Sequence, residues 1–391
     1  MTPHASLLPK KPSRPISFDI TSLNVFDYCR CLRYVGKGLM AAVVGSLIVV
    51  ASHSVLTLSL LPRARSSPST LSMYSYFIIS LLYLSVIGMI CWCYWRTMID
   101  DPGLVGEYNP FDSFPLMGAG NRNGNENGSG NGNVIYTMAS RLHADASFRE
   151  HVTQTYTETL RSDMYRAAKA PSVPREKRLA LAYQYETRPR YCKKCNTWKP
   201  PRSHHCSMAG ACVLKMDHYC VWMGNTIGLL NYRSFVLFLA WTCAGCAMSA
   251  LLLLEPSVAF VRGDSAATKP TASVGSVVGG ILGFVAFVFT AAFTLALIGF
   301  LVMHGGLVAR NMTTIEAYEK RKVEPWPWRA GSWRENVAEV FGGDERSPMW
   351  RKVVPWMDPA ERTRLVHVCG HVKHRVNVVE FLERAGVMEA V

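Results

Sequence analysis

Charged residues are absent from four long stretches of the 391-residue chain, and this absence excludes several classes of protein. Residues 38–61, 74–95, 234–254 and 274–303 are apolar throughout, and each is long enough as a helix to cross a hydrocarbon core of about 30 Å. Channels and transporters usually place ionisable groups inside their spans, whereas these stretches contain little beyond His53. The sequence therefore predicts an α-helical multi-pass membrane protein with four transmembrane helices.

Acidic residues are also in the minority, since 28 Asp and Glu stand against 42 Lys and Arg for a formal net charge of +14. The basic residues lie mostly outside the first pair of spans and after the fourth span, and such residues mark the cytosolic side of a membrane. Both termini are therefore predicted to be cytosolic. The charge fits an anionic lipid surface, and the lack of a basic soluble domain leaves no support for nucleic-acid binding.

The sequence outside the spans divides into cytosolic parts of different character. Residues 1–37 form an N-terminal segment in which two cysteines precede the first span, where S-acylation and free thiols are both open interpretations; these are Cys29 and Cys31. Residues 96–186 are a linker, whose stretch 118–133 lacks core-forming residues and is predicted to be disordered. An apolar residue every four positions over 145–169 predicts an amphipathic helix. Residues 304–391 are predicted to form a small folded C-terminal domain.

The remaining segment, residues 187–233, is rich in cysteine and histidine. A CxxC pair, Cys192 and Cys195, lies near its start, and its basic, cytosol-facing setting favours a metal over disulfides. A zinc ion needs two further ligands to complete a tetrahedron. The downstream candidates are His204, His205, Cys206, Cys212, His218 and Cys220. Spacing alone does not choose among them, and an interaction module in which all of them bind zinc remains open.

Part of this segment also has the composition of a nucleophilic site. Asp217, His218 and Cys220 supply a thiol, an imidazole that can take its proton, and a carboxylate that can orient the imidazole. Lys215 and Arg233 add positive potential nearby, which lowers the pKa of a thiol. The segment can therefore combine a structural metal site with an activated cysteine.

Residues 192–235 read C-x2-C-x3-K-P-P-R-x2-H-C-x5-C-x4-D-H-Y-C-x-W-x2-N-x2-G-x2-N-Y-R-x-F. This pattern resembles the cysteine-rich domain of the DHHC family of protein S-acyltransferases, the palmitoyltransferases, with DHYC in place of DHHC. Three further motifs occur in the family's order around the spans: Asp101-Pro102-Gly103, Thr313-Thr314-Ile315-Glu316, and Asn336 followed by Val340-Phe341-Gly342. The resemblance thus extends over most of the chain.

The resemblance implies a role for each matching residue. Cys220 would accept the acyl group, His218 would act as base, and Asp217 would orient His218 with support from Thr314. Trp222 would contact the acyl chain near the thioester. Asn336 would have a supporting role. The basic residues Lys215 and Arg233 would contact the phosphates of CoA.

The resemblance also implies zinc ligands. The first of the family's two sites maps intact onto Cys192, Cys195, His205 and Cys212. The second would use four positions at which this chain has Cys206, Ala209, Tyr219 and Thr226. Three of its four ligands are missing together, so we expect one structural zinc and no second site.

The resemblance implies a protein S-acyltransferase that moves a palmitoyl group from acyl-CoA, through acyl-Cys220, to cysteine thiols of membrane-associated proteins. It implies a Golgi or endoplasmic reticulum membrane as the location. The alternative is a catalytically silent, zinc-bearing membrane scaffold of the same fold.

Overall fold

The computed structural model of the protein describes residues 25–65, 69–106, 108–111, 130–319, 325–329, 332–341, 353–368 and 374–388. In residues 25–35 and 130–136 it describes only the backbone. The side chains of Cys29 and Cys31, and most of the stretch predicted to be disordered, therefore lie outside the described residues.

Four long apolar helices form the body of the protein. Among the described residues, the segments able by length and composition to cross a membrane are Gly36–Arg65, Thr70–Ile99, Tyr232–Thr268 and Val274–Ala309. The first consists of helix α1 (Val25–Ser54) from residue 36 onward, a π-helical turn (Val55–Leu60) and a short helix α2 (Leu61–Arg65). The others contain α3 (Thr70–Ile99), α7 (Tyr232–Arg262) and α8 (Val274–Ala309). The predicted four-span architecture is confirmed.

All four helical segments are longer than the predicted spans, and the third extends furthest beyond its prediction. Helix α7 continues past residue 254 through Glu255 and Pro256 and ends where Gly263 adopts φ of 81°. Helix α8 is a single helix of 36 residues that begins after Ser273, whose side chain accepts a hydrogen bond from the Ser276 N–H. A hydrophobic pattern defines the apolar core of a span, whereas capping and turn residues define where the helix ends.

The segment between α3 and α7 that carries the cysteines folds as three antiparallel two-stranded hairpins. Strand β1 (Arg190–Cys192) pairs with β2 (Thr197–Lys199), β3 (His204–Cys206) with β4 (Ala211–Val213), and β5 (His218–Cys220) with β6 (Asn225–Ile227). Strands of three residues bury too little apolar surface to be stable alone. The hairpins therefore depend on cross-links and on their contacts with the helices.

The Asp101-Pro102-Gly103 segment attaches the hairpins to the end of α3. The Asp101 carboxylate accepts hydrogen bonds from the N–H groups of Gly103 and Leu104, which closes a tight turn. Gly103, at φ of 102°, then accepts a hydrogen bond from the Leu214 N–H. A side chain at this φ is strained, so glycine is favoured at this turn.

The linker contains a helical unit as well as the predicted amphipathic helix. Its helices are α4 (Gly130–Ala144), α5 (Ala146–Lys169) and α6 (Arg175–Thr187). The apolar face of α5 carries Val152, Tyr156 and Leu160, which pack with Trp198 of β2 and with Phe381. Helix α4 begins at Gly130, inside the stretch 118–133 that composition predicts to be disordered. Leu142, near the end of this helix, is buried in the same core and holds the helix there.

The C-terminal region contributes α9 (Thr314–Tyr318), α10 (Trp333–Phe341), α11 (Pro359–Val368) and α12 (Val378–Arg384). Phe381 of α12 is fully buried in the core with α5, and Leu365 of α11 packs against Leu214 and Leu230. These helices pack around the hairpins, so residues from distant parts of the chain surround the Cys/His segment.

Candidate active site

The third hairpin carries the predicted nucleophile close to the apolar bundle. Cys220 is the last residue of β5 and is buried at 8% exposure, in a cluster with Met223, Ile227 and Phe235. Two large side chains after it, Val221 and Trp222, are 59% and 52% exposed. The hairpin turn thus presents apolar surface immediately beside a shielded thiol.

Asp217 and His218 form an oriented acid–imidazole pair. His218 Nδ1 lies 2.7 Å from Asp217 Oδ2, and the Asp217 side chain is almost completely buried. An ionised carboxylate only accepts hydrogen bonds, so the proton of this bond lies on Nδ1. The other ring nitrogen is then available to the Cys220 thiol, and the interaction between this thiol and the imidazole contributes to the raised pKa of His218.

The surroundings of His218 favour its charged form. Burial alone would lower the pKa of the imidazole, but hydrogen bonds and charge interactions with Asp217 and Cys220 outweigh burial and raise it to about 9. Burial would likewise raise the pKa of Asp217, but bonds from His218 and Thr314 hold it below its ordinary value. At neutral pH the imidazole of His218 is therefore protonated, and it lies near the thiol of Cys220.

The motif after the fourth span supports Asp217 from the other side. Thr314 donates to both carboxylate oxygens, from its N–H to Oδ1 and from its hydroxyl to Oδ2. Thr313 and Glu316 form a capping box that fixes the first turn of α9. Glu316 is in turn bound bidentately by the buried guanidinium of Arg202, at 2.8 Å for each contact. The position of Thr314 is therefore set by a buried ion pair with the hairpin segment.

Four predicted metal ligands come together at the first two hairpins. The ligand atoms of Cys192, Cys195, His205 and Cys212 all lie within 4.8 Å of one another. Cys195 Sγ is 3.8 Å from Cys212 Sγ, and Cys192 Sγ is 3.5 Å from His205 Nδ1. Tetrahedral zinc bonds of ordinary length imply separations of about 3.8 Å between two sulfurs and about 3.6 Å between sulfur and nitrogen. The donor set therefore fits a structural zinc ion.

The other zinc candidates lie apart from this cluster. His204 faces Val213 across its hairpin, and burial together with nearby Arg190 lowers its pKa to about 4. Cys206 contacts the hydroxyl of Thr226. Among the residues that the structure describes, the cluster above is the one group of His, Cys, Asp or Glu that meets the geometry of a metal site.

Lys215 and Arg233 occupy different surroundings from those expected of CoA ligands. Lys215 Nζ lies 2.6 Å from Glu339 of α10, and Arg233 lies 3.5 Å from Glu361 of α11. Both basic side chains are largely buried, at 10% and 3% exposure. Removing either from its carboxylate would leave a buried charge uncompensated, so the geometry does not favour direct contact with phosphates.

Asn336, the remaining residue with a predicted supporting role, binds the backbone at the end of α8. Its side-chain N–H donates to the carbonyl of Ala309 at 2.8 Å, at the end of α8, and the residue is 1% exposed. A helix end leaves carbonyl groups without intrahelical donors. Asn336 therefore satisfies the end of the fourth span and holds α10 against it.

Two residues that anchor the third hairpin were missed by sequence reasoning. The Tyr94 hydroxyl, in the last turns of α3, donates to the Trp222 carbonyl at 3.0 Å. Asn225 donates to the carbonyls of Thr97 and Asp100 at the end of the same helix. Asn225 belongs to the quoted motif and could have been found there, whereas Tyr94 in an apolar run carries no such signal.

Sequence comparison relates the chain to known proteins. A family model described as DHHC palmitoyltransferase matches residues 185–321. "Probable protein S-acyltransferase 14" of Arabidopsis thaliana is 31% identical over 335 residues, which cover 83% of this chain and 86% of that protein. "Probable protein S-acyltransferase 13" of the same plant is 50% identical over 157 residues, covering 40% of this chain and 49% of that protein. "Palmitoyltransferase ZDHHC15" of Homo sapiens is 34% identical over 160 residues, which cover 40% of this chain and 45% of that protein. The chain thus spans about half the length of these last two relatives.

Proposed function

Because the chain belongs to the DHHC palmitoyltransferase family of protein S-acyltransferases, we propose that it transfers a long-chain acyl group, palmitoyl, from acyl-CoA to protein cysteines through Cys220. The observation that carries this proposal is the hydrogen-bonded series Thr314, Asp217 and His218, in which the imidazole interacts with the thiol of Cys220, two positions further along β5. A catalytically silent scaffold would not need a buried carboxylate whose hydrogen bonds orient an imidazole toward a thiol.

In the first step Cys220 is acylated. His218 holds the thiol proton as an imidazolium, and the Cys220 thiolate attacks the thioester carbonyl of acyl-CoA. The bond from that carbonyl to the CoA sulfur breaks, and the imidazolium gives its proton to the departing CoA thiolate. Asp217 stabilises the imidazolium and prevents the ring from turning, because Nδ1 is bound to its carboxylate.

In the second step the acyl group leaves Cys220. A cysteine thiol of the protein substrate gives its proton to His218 and attacks the acyl-Cys220 carbonyl, and Cys220 departs as the thiolate. The same imidazolium–thiolate pair is restored, so the cycle needs no other acid or base. This is a two-step, ping-pong route.

The surroundings of Cys220 support a membrane-embedded acyl chain. The thiol borders an apolar cluster that includes Phe235 and Leu297 from the third and fourth spans, and Trp222 beside it is half exposed. We assign Trp222 to contact with the acyl chain near the thioester. The substrates are then palmitoyl-CoA and cysteines of membrane-associated proteins, which the bilayer brings to the same surface.

The bound metal has a structural role in this proposal. One zinc ion held by Cys192, Cys195, His205 and Cys212 would cross-link the first two hairpins, and we propose that the chain binds no second zinc. None of these four residues contacts the Asp217–His218 pair among the hydrogen bonds of the described residues. We assign Lys215 and Arg233 to holding α10 and α11 against the hairpins, since both are paired with carboxylates of those helices.

The topology follows from the positions of the basic residues, with both termini and the hairpins on the cytosolic side. We propose a Golgi or endoplasmic reticulum membrane as the location. Fluorescence of tagged protein in intact cells, with protease protection of each terminus, tests both statements.

Acyl loading of the purified full chain tests the reaction. In detergent micelles with labelled palmitoyl-CoA, we expect a hydroxylamine-sensitive label that Cys220→Ser abolishes. Cys91→Ser is the matched control, because Cys91 is an exposed cysteine of α3, and it should load normally. A folded, zinc-replete protein that takes up no label would favour the scaffold instead.

A further inference from the structure

The three hairpins repeat one geometry. In each, a cysteine ends the first strand and faces the first residue of the second strand: Cys192 opposite Thr197, Cys206 opposite Ala211, and Cys220 opposite Asn225. Each turn passes through a residue with positive φ, at Asn196, Gly210 and Gly224. In the first two turns the backbone N–H three residues after the cysteine lies 3.4 Å from its sulfur. The second turn therefore retains the backbone conformation of the metal-binding first turn.

The repeat defines a second position equivalent to the zinc site. The zinc donor set consists of the last strand residue and a turn residue of one hairpin, Cys192 and Cys195, and a cross-strand pair of the next, His205 opposite Cys212. One hairpin further along, the equivalent strand-end and turn residues are Cys206 and Ala209. The equivalent cross-strand pair is Tyr219 opposite Thr226. The same backbone arrangement thus occurs twice, with different side chains.

The side chains at the second position do not fit zinc. Alanine has no ligand atom, and a tyrosine and a threonine stand where the first site has a histidine and a cysteine. Cys206 Sγ instead lies 3.0 Å from Thr226 Oγ1, and both residues are buried. Cys206 belongs to an apolar cluster with Val213 and Met216, against which Ala209, Tyr219 and Ile315 pack. At this second position, a hydrogen bond between Cys206 and Thr226 surrounded by apolar side chains thus takes the place of a metal ion.

We infer that Cys206, Thr226, Tyr219 and Ile315 form a metal-free clasp that positions the Cys220 hairpin. Tyr219 lies between His218 and Cys220 in β5, and Thr226 is its partner in β6. Ile315 follows Thr314, which holds Asp217. The clasp therefore contacts both the strand that carries the nucleophile and the helix turn that fixes the acid–imidazole pair.

The effect of the clasp on Cys220 rests on the proposed function, whereas the absence of a second metal ion can be tested independently of that function. Zinc analysis of the purified chain should show one ion per chain, and two ions would overturn the clasp. The triple variant Ala209→Cys, Tyr219→His, Thr226→Cys restores two thiols and an imidazole around Cys206, and we expect it to bind two ions. A triple variant that keeps the wild-type melting temperature and binds one ion would show that the two positions are not equivalent.

A second variant covers failure of the triple variant to fold. The double variant Ala209→Cys, Thr226→Cys retains Tyr219 and brings three thiols together. Loading it with cobalt should give thiolate-to-metal absorption about twice that of the wild type, which has three thiolate ligands in its first site. Absorption equal to that of the wild type would overturn the equivalence.

Thr226 variants test the positioning role. Thr226→Val removes the hydroxyl and keeps the volume, so we expect acyl loading to slow by about two- to tenfold, with unchanged KM for acyl-CoA and unchanged zinc content. Thr226→Ser keeps the hydroxyl and should restore the rate. A valine variant that loads as fast as the wild type would overturn the clasp, whereas a wild type that never loads would contradict the proposed function and leave the zinc results valid.

Discussion

Thr314 binds both oxygens of the Asp217 carboxylate, with its N–H 2.7 Å from Oδ1 and its hydroxyl 2.8 Å from Oδ2. Because His218 also bonds to Oδ2, the carboxylate cannot rotate without breaking one of these contacts. The imidazole orientation therefore depends on a residue 97 positions from Asp217 in the chain, just after the fourth span.

Removing the Thr314 hydroxyl tests this dependence. Thr314→Val should reduce the acyl-loading rate about tenfold or more, since a hydrogen bond to a charged group contributes about 1.5–3 kcal/mol. Thr314→Ser, which keeps the hydroxyl, should load at a rate close to that of the wild type. Single-turnover loading with labelled palmitoyl-CoA measures both. Equal rates for valine and serine would mean that the backbone N–H alone suffices.

The pH dependence of loading should report His218. Its pKa is raised from 6.5 to about 9, so the imidazolium that protonates the CoA thiolate is lost as pH rises through about 9. Loading should therefore be sustained up to that pH and decline above it. Asp217→Asn removes a main cause of the raised pKa, and the decline should move toward 6.5. A decline at the same pH in both proteins would contradict the assignment.

The same shift affects stability in a defined direction. A pKa raised on folding means that the native state binds the proton more tightly. The stabilisation from the Asp217–His218 pair should be fully present below pH 6.5 and lost as pH rises through about 9. The difference in melting temperature between wild type and His218→Gln, followed from pH 6 to pH 10, measures this. A difference that grows with pH would contradict it.

The buried pair of Arg202 and Glu316 should be a major determinant of stability. Glu316→Gln leaves a buried guanidinium without its carboxylate, and such a change costs about 3–5 kcal/mol. The exposed pair of Lys193 and Glu150 is the matched control, and Glu150→Gln should cost no more than about 1 kcal/mol. Thermal unfolding in detergent compares the two variants. Similar losses would indicate that burial does not govern the contribution of these pairs.

Zinc content should distinguish ligands from the other cysteines. Cys212→Ala removes one of four donors and should lower both zinc content and protection of residues 190–213 from hydrogen exchange. Cys206→Ala should keep the ion, because its sulfur contacts Thr226 and not the cluster. Elemental analysis after gel filtration provides the measurement. Loss of zinc from both variants would place Cys206 in the metal site.

Much of the architecture could be predicted from local patterns. The four spans follow from uninterrupted apolar runs, because a helix in a bilayer satisfies its own backbone hydrogen bonds. The four candidate metal ligands follow from the family motif, and the structure brings their ligand atoms within 4.8 Å of one another. Other features needed the fold: α4 packs its Leu142 into a core that includes Phe381, more than two hundred residues later in the chain, and composition alone predicted disorder at its start.

The sequence by itself determined the spans and the order Asp217, His218, Cys220, because the length of an apolar run and the order of residues are local properties, and the resemblance to the family added the candidate metal ligands. Tertiary structure decided what each charge faces. Lys215 and Arg233 are basic, as anion-binding residues are, yet each lies next to a glutamate in the structure. These glutamates, Glu339 and Glu361, are more than one hundred positions later in the sequence. Buried charges require partners, and the sequence does not show which partner the fold supplies.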